Sequence, residues 1–196
     1  MTKTIRDYGI TPGHIKCGRN NLITDVKGVK VGHKTLDDGE IKTGVTVIFP
    51  HENNTFKNKV IAASHVINGF GKSVGLIQID ELGTLETPII LTNTLSVGVA
   101  QNALIKYMLD HNHDIGVDTG TVNCVVGECN DGVLNTIRKL HVREEDVLDA
   151  LNSCSEVFEQ GNVGAGTGMV CYQLKGGIGS SSRVIELDGF EYTVGT

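Results

Sequence analysis

The chain is 196 residues long, with 17 basic against 23 acidic side chains and a formal net charge of −6. That length suits one domain with a substantial core, and the negative balance offers no basic stripe for a nucleic-acid partner. No apolar run approaches the length of a membrane helix, so no membrane partner is expected. The 25 glycines against 3 prolines point to tight turns and close backbone approaches, not to a flexible linker.

The opening MTKTIRDYGI is charged and has no apolar centre, so it does not read as a signal peptide. The five cysteines (Cys17, Cys124, Cys129, Cys154 and Cys171) make an odd count with no CxxC pair or zinc spacing. They predict buried, reduced thiols and a cytoplasmic location.

Residues 22–32 predict strand, turn and strand, bending at 25–28. Residues 44–49 are β-branched and stop at Pro50, and 51–59 form a polar loop. Residues 60–68 fit either a strand or a short helix. The run VGLIQI at 74–79 predicts a strand, and PIILTNT at 88–94 a strand buried on both faces. Thr94 or Ser96 can cap a helix carrying Val97, Ala100, Leu104, Tyr107 and Met108 at helical spacing, running to about Asp110. A strand follows at 123–128, then an Asp131-Gly132 turn into a short helix at 133–138. Residues 143–152 predict a helix with acidic residues in its first turn. Residues 169–175 predict a strand, and 183–196 a hairpin turning at Asp188-Gly189.

This order lacks regular βαβ alternation and predicts α+β or a layered sandwich in a single domain, 1–196, instead of a Rossmann sheet. Phe190, Tyr192 and Val194 still alternate with polar residues up to Thr196. Domains rarely end in such a strand, so further polypeptide is expected to complete the sheet.

The densest chemical signal is Gly161 to Gly168, with four glycines in eight residues. A helical segment precedes it and a strand follows, which defeats a dinucleotide reading, and Thr167 stands where a phosphate loop needs lysine. Two readings stay open: a turn for close packing, or a backbone-lined wall of a site that includes Gly164, Gly166 and Thr167. Glu128 ends an apolar strand, where its carboxylate could meet an ammonium, and Asn130 lies two residues on. Asn93, at a strand-to-helix junction, fits a helix cap or a furnished pocket. His111 and His113 are two apart, do not share a helix face and lack a third ligand, so no metal is expected.

Taken together, Gly161-Asn-Val-Gly-Ala-Gly-Thr-Gly-Met169 and Lys175-Gly-Gly-Ile-Gly-Ser-Ser-Ser-Arg183 resemble the signature of the L-aminopeptidase/D-esterase family. This is the DmpA-like group, peptidase family S58, which includes β-peptidyl aminopeptidases. Leu91-Thr-Asn-Thr94, Val126-Gly-Glu-Cys-Asn-Asp-Gly132 and Asn21-Leu-Ile-Thr-Asp-Val-Lys-Gly-Val-Lys-Val-Gly32 match it in order, so the resemblance covers almost the whole chain.

The resemblance implies a four-layer αββα sandwich, an α/β fold, made as a precursor that cuts itself into two subunits. The freed Ser or Thr is then the nucleophile and its own α-amine the base. It implies that Glu128 receives the amino terminus of a small peptide or amino-acid amide substrate. Asn130 stands where some members carry a tyrosine beside the nucleophile. Asn93, Gly164, Gly166 and Thr167 would form the pocket floor and its backbone donors. The oxyanion-stabilising asparagine and the nucleophile follow later in the family, so they are expected beyond Thr196, on a second, β-type subunit. No cofactor is implied, and a homo-oligomer is. Two other readings are a non-catalytic binding protein that keeps the pocket, and an acyltransferase related to the ornithine acetyltransferases, a poorer match on the same fold.

Overall fold

The computed structural model describes residues 3–196. Strands β1 (Lys30–Asp38) and β2 (Ile41–Phe49) form a hairpin in register from Lys30 opposite Phe49 to Asp38 opposite Ile41. After β3 (Val60–Ile61), helix α1 (Leu76–Leu82) and β4 (Thr84–Leu85), the chain enters β5 (Ile89–Asn93), helix α2 (Val97–His111) and β6 (Val125–Cys129). Helix α3 (Glu144–Asn152) leads to β7 (Val170–Cys171), β8 (Leu174–Lys175), β9 (Ser182–Leu187) and β10 (Phe190–Gly195). The main sheet runs β1-β2-β5-β6. β5 lies antiparallel to β2 and parallel to β6, and α2 supplies the crossover that a parallel pair requires.

The two faces of this sheet follow from side-chain alternation. Val45, Val47, Ile90 and Val126 are fully buried on one face. There they pack with Ala100 and Leu104 of α2 and Val147 and Ala150 of α3; burying one such aliphatic side chain is worth about 1.5–3 kcal/mol. The other face carries His33 and Thr35 of β1 and Gly44 and Thr46 of β2. Against it lies a short 3₁₀ turn, Gly164–Gly166.

Glycine makes that contact possible. A Cβ on Gly44 would stand 2.5 Å from the Gly164 carbonyl oxygen, and one on Gly166 would stand 2.5 Å from the Ile178 nitrogen. Gly161 and Ile178 exchange backbone hydrogen bonds of 2.7 and 2.8 Å. The two glycine clusters therefore pack main chain on main chain, one upon the other and both upon the sheet.

The β5 strand, α2, α3 and the β9–β10 hairpin form where the sequence predicts them. Asp188 and Gly189 take φ of 52° and 79° at the turn, the left-handed pair that a two-residue hairpin needs. α2 begins after Ser96 and ends at His111, and the β6 strand lies at Val125–Cys129 where 123–128 was expected. Only Val60 and Ile61 of 60–68 are strand.

Four expectations give way. The run 74–79 is not a strand: Val74 makes one bridge to Val126, Gly75 turns the chain at φ 87°, and α1 starts at Leu76. Its burial follows helical spacing, with Ile79 buried and Ile77 87% exposed. Residues 22–25 hold no strand, because Ile23–Asp25 is a 3₁₀ turn. The Asp25 carboxylate there accepts from the Asn20 N–H at 3.0 Å and the Ser182 hydroxyl at 2.6 Å. The strand 169–175 is broken by positive φ at Tyr172 and Gln173, which folds it into the small β7–β8 hairpin. Within 133–138 no α-helix forms. A 3₁₀ turn occupies Ile137–Lys139, and Asn135 is committed to the β2 strand, accepting the Lys42 N–H at 3.1 Å.

All five cysteines are free, but they are not uniformly buried. Cys124 is buried, Cys17 and Cys154 are half-buried, and Cys129 and Cys171 are exposed, on a strand end and a hairpin. Burial pushes the Cys124 and Cys154 thiols up to about 12.

Since the thiolate is the species that alkylates, iodoacetamide at pH 8 should label Cys129 and Cys171 while Cys124 and Cys154 stay unmodified, as read by peptide mass mapping. Replacing Gly166 with valine should cost about 3 kcal/mol in urea unfolding, because its side chain meets main chain that cannot move aside. Gly98→Ala, in α2 with nothing within 4 Å of the new methyl, should instead stabilise by about 0.5–1 kcal/mol.

Candidate functional site

Strands β5 and β6 end side by side, with Thr92 opposite Glu128 and Asn93 opposite Cys129. Asn93 is almost wholly buried. Its Nδ2 donates to Thr43 Oγ1 at 2.8 Å, and its Oδ1 accepts the Leu95 N–H at 3.0 Å, which turns the chain toward α2. The Thr94 N–H donates to the Cys129 carbonyl at 3.1 Å, locking the two strand ends together. Thr92 ties the same corner to β2, donating to the Gly44 carbonyl at 3.1 Å.

Alternation then separates the candidates. Leu91 pairs with Thr46, so Asn93, two residues on, lies on the face that carries Gly44 and the glycine turn. Glu128 pairs with Thr92 and falls on the helix side of the sheet edge, half-buried. Among the described residues it takes part in no ion pair. Asn130 is exposed, its Oδ1 accepting the Gly132 N–H at 2.8 Å.

One residue that sequence reasoning missed is Asp131. It is only 1% exposed. Oδ1 accepts from Asn135 Nδ2 at 3.1 Å, while the buried Oδ2 has no hydrogen-bond partner. Gly168 sits directly over it, where a Cβ would come within 2.9 Å of the Asp131 Cβ. An Asp-Gly pair after a strand reads as a turn, and nothing in the local sequence signals that this aspartate points inward.

Inside the glycine turn the amides are engaged. The Gly164 N–H donates to Thr35 Oγ1 at 2.8 Å and the Ala165 N–H to Thr46 Oγ1 at 3.1 Å. The Gly166 and Thr167 amides bond to the Val163 and Gly164 carbonyls at 2.9 and 3.2 Å. The buried Thr167 hydroxyl donates to the Gly164 carbonyl at 2.7 Å. The Lys175 ammonium donates to the Gly166 and Gly176 carbonyls at 3.0 and 2.6 Å. Burial lowers its pKa and the charge of Asp37 opposes that shift.

His33, on the same sheet face, was not singled out from the sequence. Its Nδ1 lies 2.9 Å from Thr46 Oγ1 and its Nε2 3.0 Å from the Glu159 carbonyl oxygen. The Phe158 ring lies 5.9 Å away, tilted. Burial holds this imidazole below its ordinary range, against a pull upward from the Glu159 carbonyl and charge.

Two concavities lie elsewhere. A groove of about 450 Å³ runs between β1 and the start of α3, lined by Lys34, Asp37, Asp38, His141 and Arg143 among others. A cleft of about 250 Å³ lies at the end of α2, beside Phe49, Tyr107 and His111. The structure thus brings Asn93 and the turn to one face, with Glu128 around the strand edge. Among the described residues no group of three or more His, Cys, Asp or Glu is placed to hold a metal. No helix among them is long and apolar enough to cross a membrane.

With this geometry in place, comparison with known proteins is informative. The model of peptidase family S58 matches residues 21–196. The chain is 38% identical over 200 residues to beta-peptidyl aminopeptidase BapA of Sphingosinicella microcystinivorans, covering 97% of this chain and 49% of that protein. It is 36% identical to BapA of Sphingosinicella xenopeptidilytica, again covering 97% and 49%. The chain therefore spans about half the length of the curated relatives it matches.

Among solved structures, the PH0078 protein from Pyrococcus horikoshii OT3 superposes with a TM-score of 0.96 at 54% identity, over 98% of this chain and 57% of that one. A Burkholderia sp. beta-aminopeptidase gives 0.86 at 43% identity, over 92% and 52%. The L-aminopeptidase D-Ala-esterase/amidase from Ochrobactrum anthropi, described as a new variant among the Ntn hydrolase fold, gives 0.89 at 36%, over 97% and 55%. The fold is accordingly an α/β sandwich of that kind, with the α2–α3 helix layer packed on the β1-β2-β5-β6 sheet. A family match running unbroken from residue 21 to residue 196, together with that shared fold, shows that the chain belongs to peptidase family S58.

Proposed function

We propose that this chain is the substrate-holding portion of an aminopeptidase of the N-terminal-nucleophile type, hydrolysing the amide next to a free amino terminus. The observation that carries the reading is the S58 match through residue 196 beside relatives of about twice the length that are aminopeptidases. In this reading the nucleophile and the oxyanion-binding asparagine lie on polypeptide beyond Thr196, separated by autoproteolysis into a second subunit. The assembly is a homo-oligomer. Five free thiols support a reducing, cytoplasmic setting.

The chemistry needs little from cofactors. A freed Ser or Thr hydroxyl attacks the substrate carbonyl while its proton passes to the α-amine of the same residue, whose ordinary pKa is near 8. That proton then goes to the leaving amine as the C–N bond breaks. The resulting ester is cleaved by water, and amide donors hold the oxyanion in both halves. Glu128, half-buried and without an ion pair among the described residues, receives the substrate ammonium. Asn93 and the turn at Gly164, Gly166 and Thr167 shape the floor, and Asn130 flanks the reacting group.

The test uses the protein expressed from its complete reading frame, assayed on an amino-acid p-nitroanilide. Glu128→Gln should raise KM about tenfold with kcat nearly unchanged, the signature of a lost ground-state ion pair. An unchanged KM removes Glu128 from that role. Intact mass should show two fragments purifying together; absence of both turnover and a second fragment would leave a binding protein.

A further inference from the structure

The glycine turn is held to the sheet by two hydroxyls, Thr35 on Gly164 and Thr46 on Ala165. The second of these is itself held by His33. The Glu159 carbonyl can only accept, so the proton of a neutral His33 sits on Nε2, and Nδ1 presents a lone pair to Thr46 Oγ1. The Thr46 hydroxyl must then donate to Nδ1, which leaves its oxygen lone pairs aimed at the Ala165 N–H. Every donor and acceptor in the chain Glu159 O, His33, Thr46 and Ala165 is used once and in one sense. The fit is close. A Cβ on Gly164 would lie 2.7 Å from His33 Nδ1, so a side chain there would collide with the ring.

A second proton on His33 reverses this chain. Nδ1 becomes a donor, both lone pairs of Thr46 Oγ1 are taken by Nδ1–H and Ala165 N–H, and the hydroxyl proton of the buried Thr46 is left without its acceptor. We propose that His33 is a positioning residue whose neutral Nε2–H form locks the Gly164–Gly166 turn through Thr46, and whose protonation releases it and weakens turnover at acid pH.

The groups facing the imidazole are few. Thr46 stands on β2, and no ionisable side chain belongs to the turn at 164–167. The segment at 158–160 contributes the Phe158 ring and the Glu159 carbonyl and charge. The end of α3 contributes the Ser153 hydroxyl, which accepts the His33 backbone N–H at 3.0 Å. Glu159 favours the charged ring and burial opposes it more strongly, so neutral His33 persists below the ordinary histidine value of about 6.5.

The inference concerns regulation of the site under Proposed function and rests on that reading for its catalytic consequence, though not for its hydrogen-bond chain. Two measurements separate the two. In ¹⁵N NMR of the full chain, the His33 ring should show the Nε2–H tautomer at pH 8, and the Ala165 amide should shift with the same midpoint as the ring. A ring on the Nδ1–H tautomer, or an Ala165 amide indifferent to it, overturns the proposal whether or not the protein has activity.

In the active protein, His33→Asn keeps an uncharged acceptor near Nδ1. The ratio of kcat/KM at pH 8 to that at pH 5.5 should fall below the wild-type ratio. Thr46→Val should lower kcat about tenfold at both pH values and Thr46→Ser should restore most of it. An Asn variant with the wild-type pH profile overturns the role, while a protein with no turnover at any pH counts against the aminopeptidase reading alone.

Discussion

Everything on the open face of the sheet depends on how closely the main chain at Gly164 can approach the main chain at Gly44. A Cβ at Gly44 would stand 2.5 Å from the Gly164 carbonyl, so any larger residue would force the turn off the sheet. At that distance backbone groups must satisfy one another or be satisfied by short side chains, because water cannot enter. Thr35, Thr46 and the carbonyls of Val163 and Gly164 meet that requirement for four successive amides. The same closeness repeats between Gly166 and Ile178 and between Gly177 and Gly161, which makes the two glycine clusters one rigid seam.

The sheet therefore works with two different kinds of adhesion. Toward α2 and α3 it is a conventional apolar layer, tolerant of conservative repacking and stabilised by area. Toward the turn it is held by directional bonds from hydroxyls and an imidazole, which fix position to within tenths of an ångström and fail as a unit when one member changes. A site that must orient small polar substrates gains more from the second kind. The candidate residues lie where the two meet, at the ends of β5 and β6, and there Asn93 is bonded on both sides of its amide.

Much of this was readable in the sequence, and the exceptions have physical causes. Helices α2 and α3 carry strong 3.6-residue patterns, and β5 is an unbroken apolar run, so periodicity alone finds them. The stretch at 74–79 misleads because VGLIQI suits a strand equally well; the left-handed backbone of Gly75 decides it, and only the tertiary contact against β6 imposes that conformation. Tyr172 and Gln173 adopt positive φ without a glycine, so their turn has no sequence mark.

At the site, the glycine motif announces close approach without saying to what. It can be a ligand wall or a packing seam, and within this chain its amides are already bonded. Asp131 and His33 escaped for a shared reason. Both are set by tertiary packing, His33 by partners 13 and 126 residues away and Asp131 by lying under Gly168, which no local window contains.

The β9–β10 hairpin pairs with no other strand among the described residues. It displays Phe190 67%, Tyr192 49% and Val194 49% exposed on alternate positions. A two-stranded ribbon is marginal on its own, and this one is anchored mainly at its base. There Ser182 bonds to Asp25 and the Val184 N–H donates to the Lys16 carbonyl at 2.8 Å. The glycine seam differs: its amides are bonded within the chain, so the turn keeps its place through this chain's own hydroxyls and carbonyls.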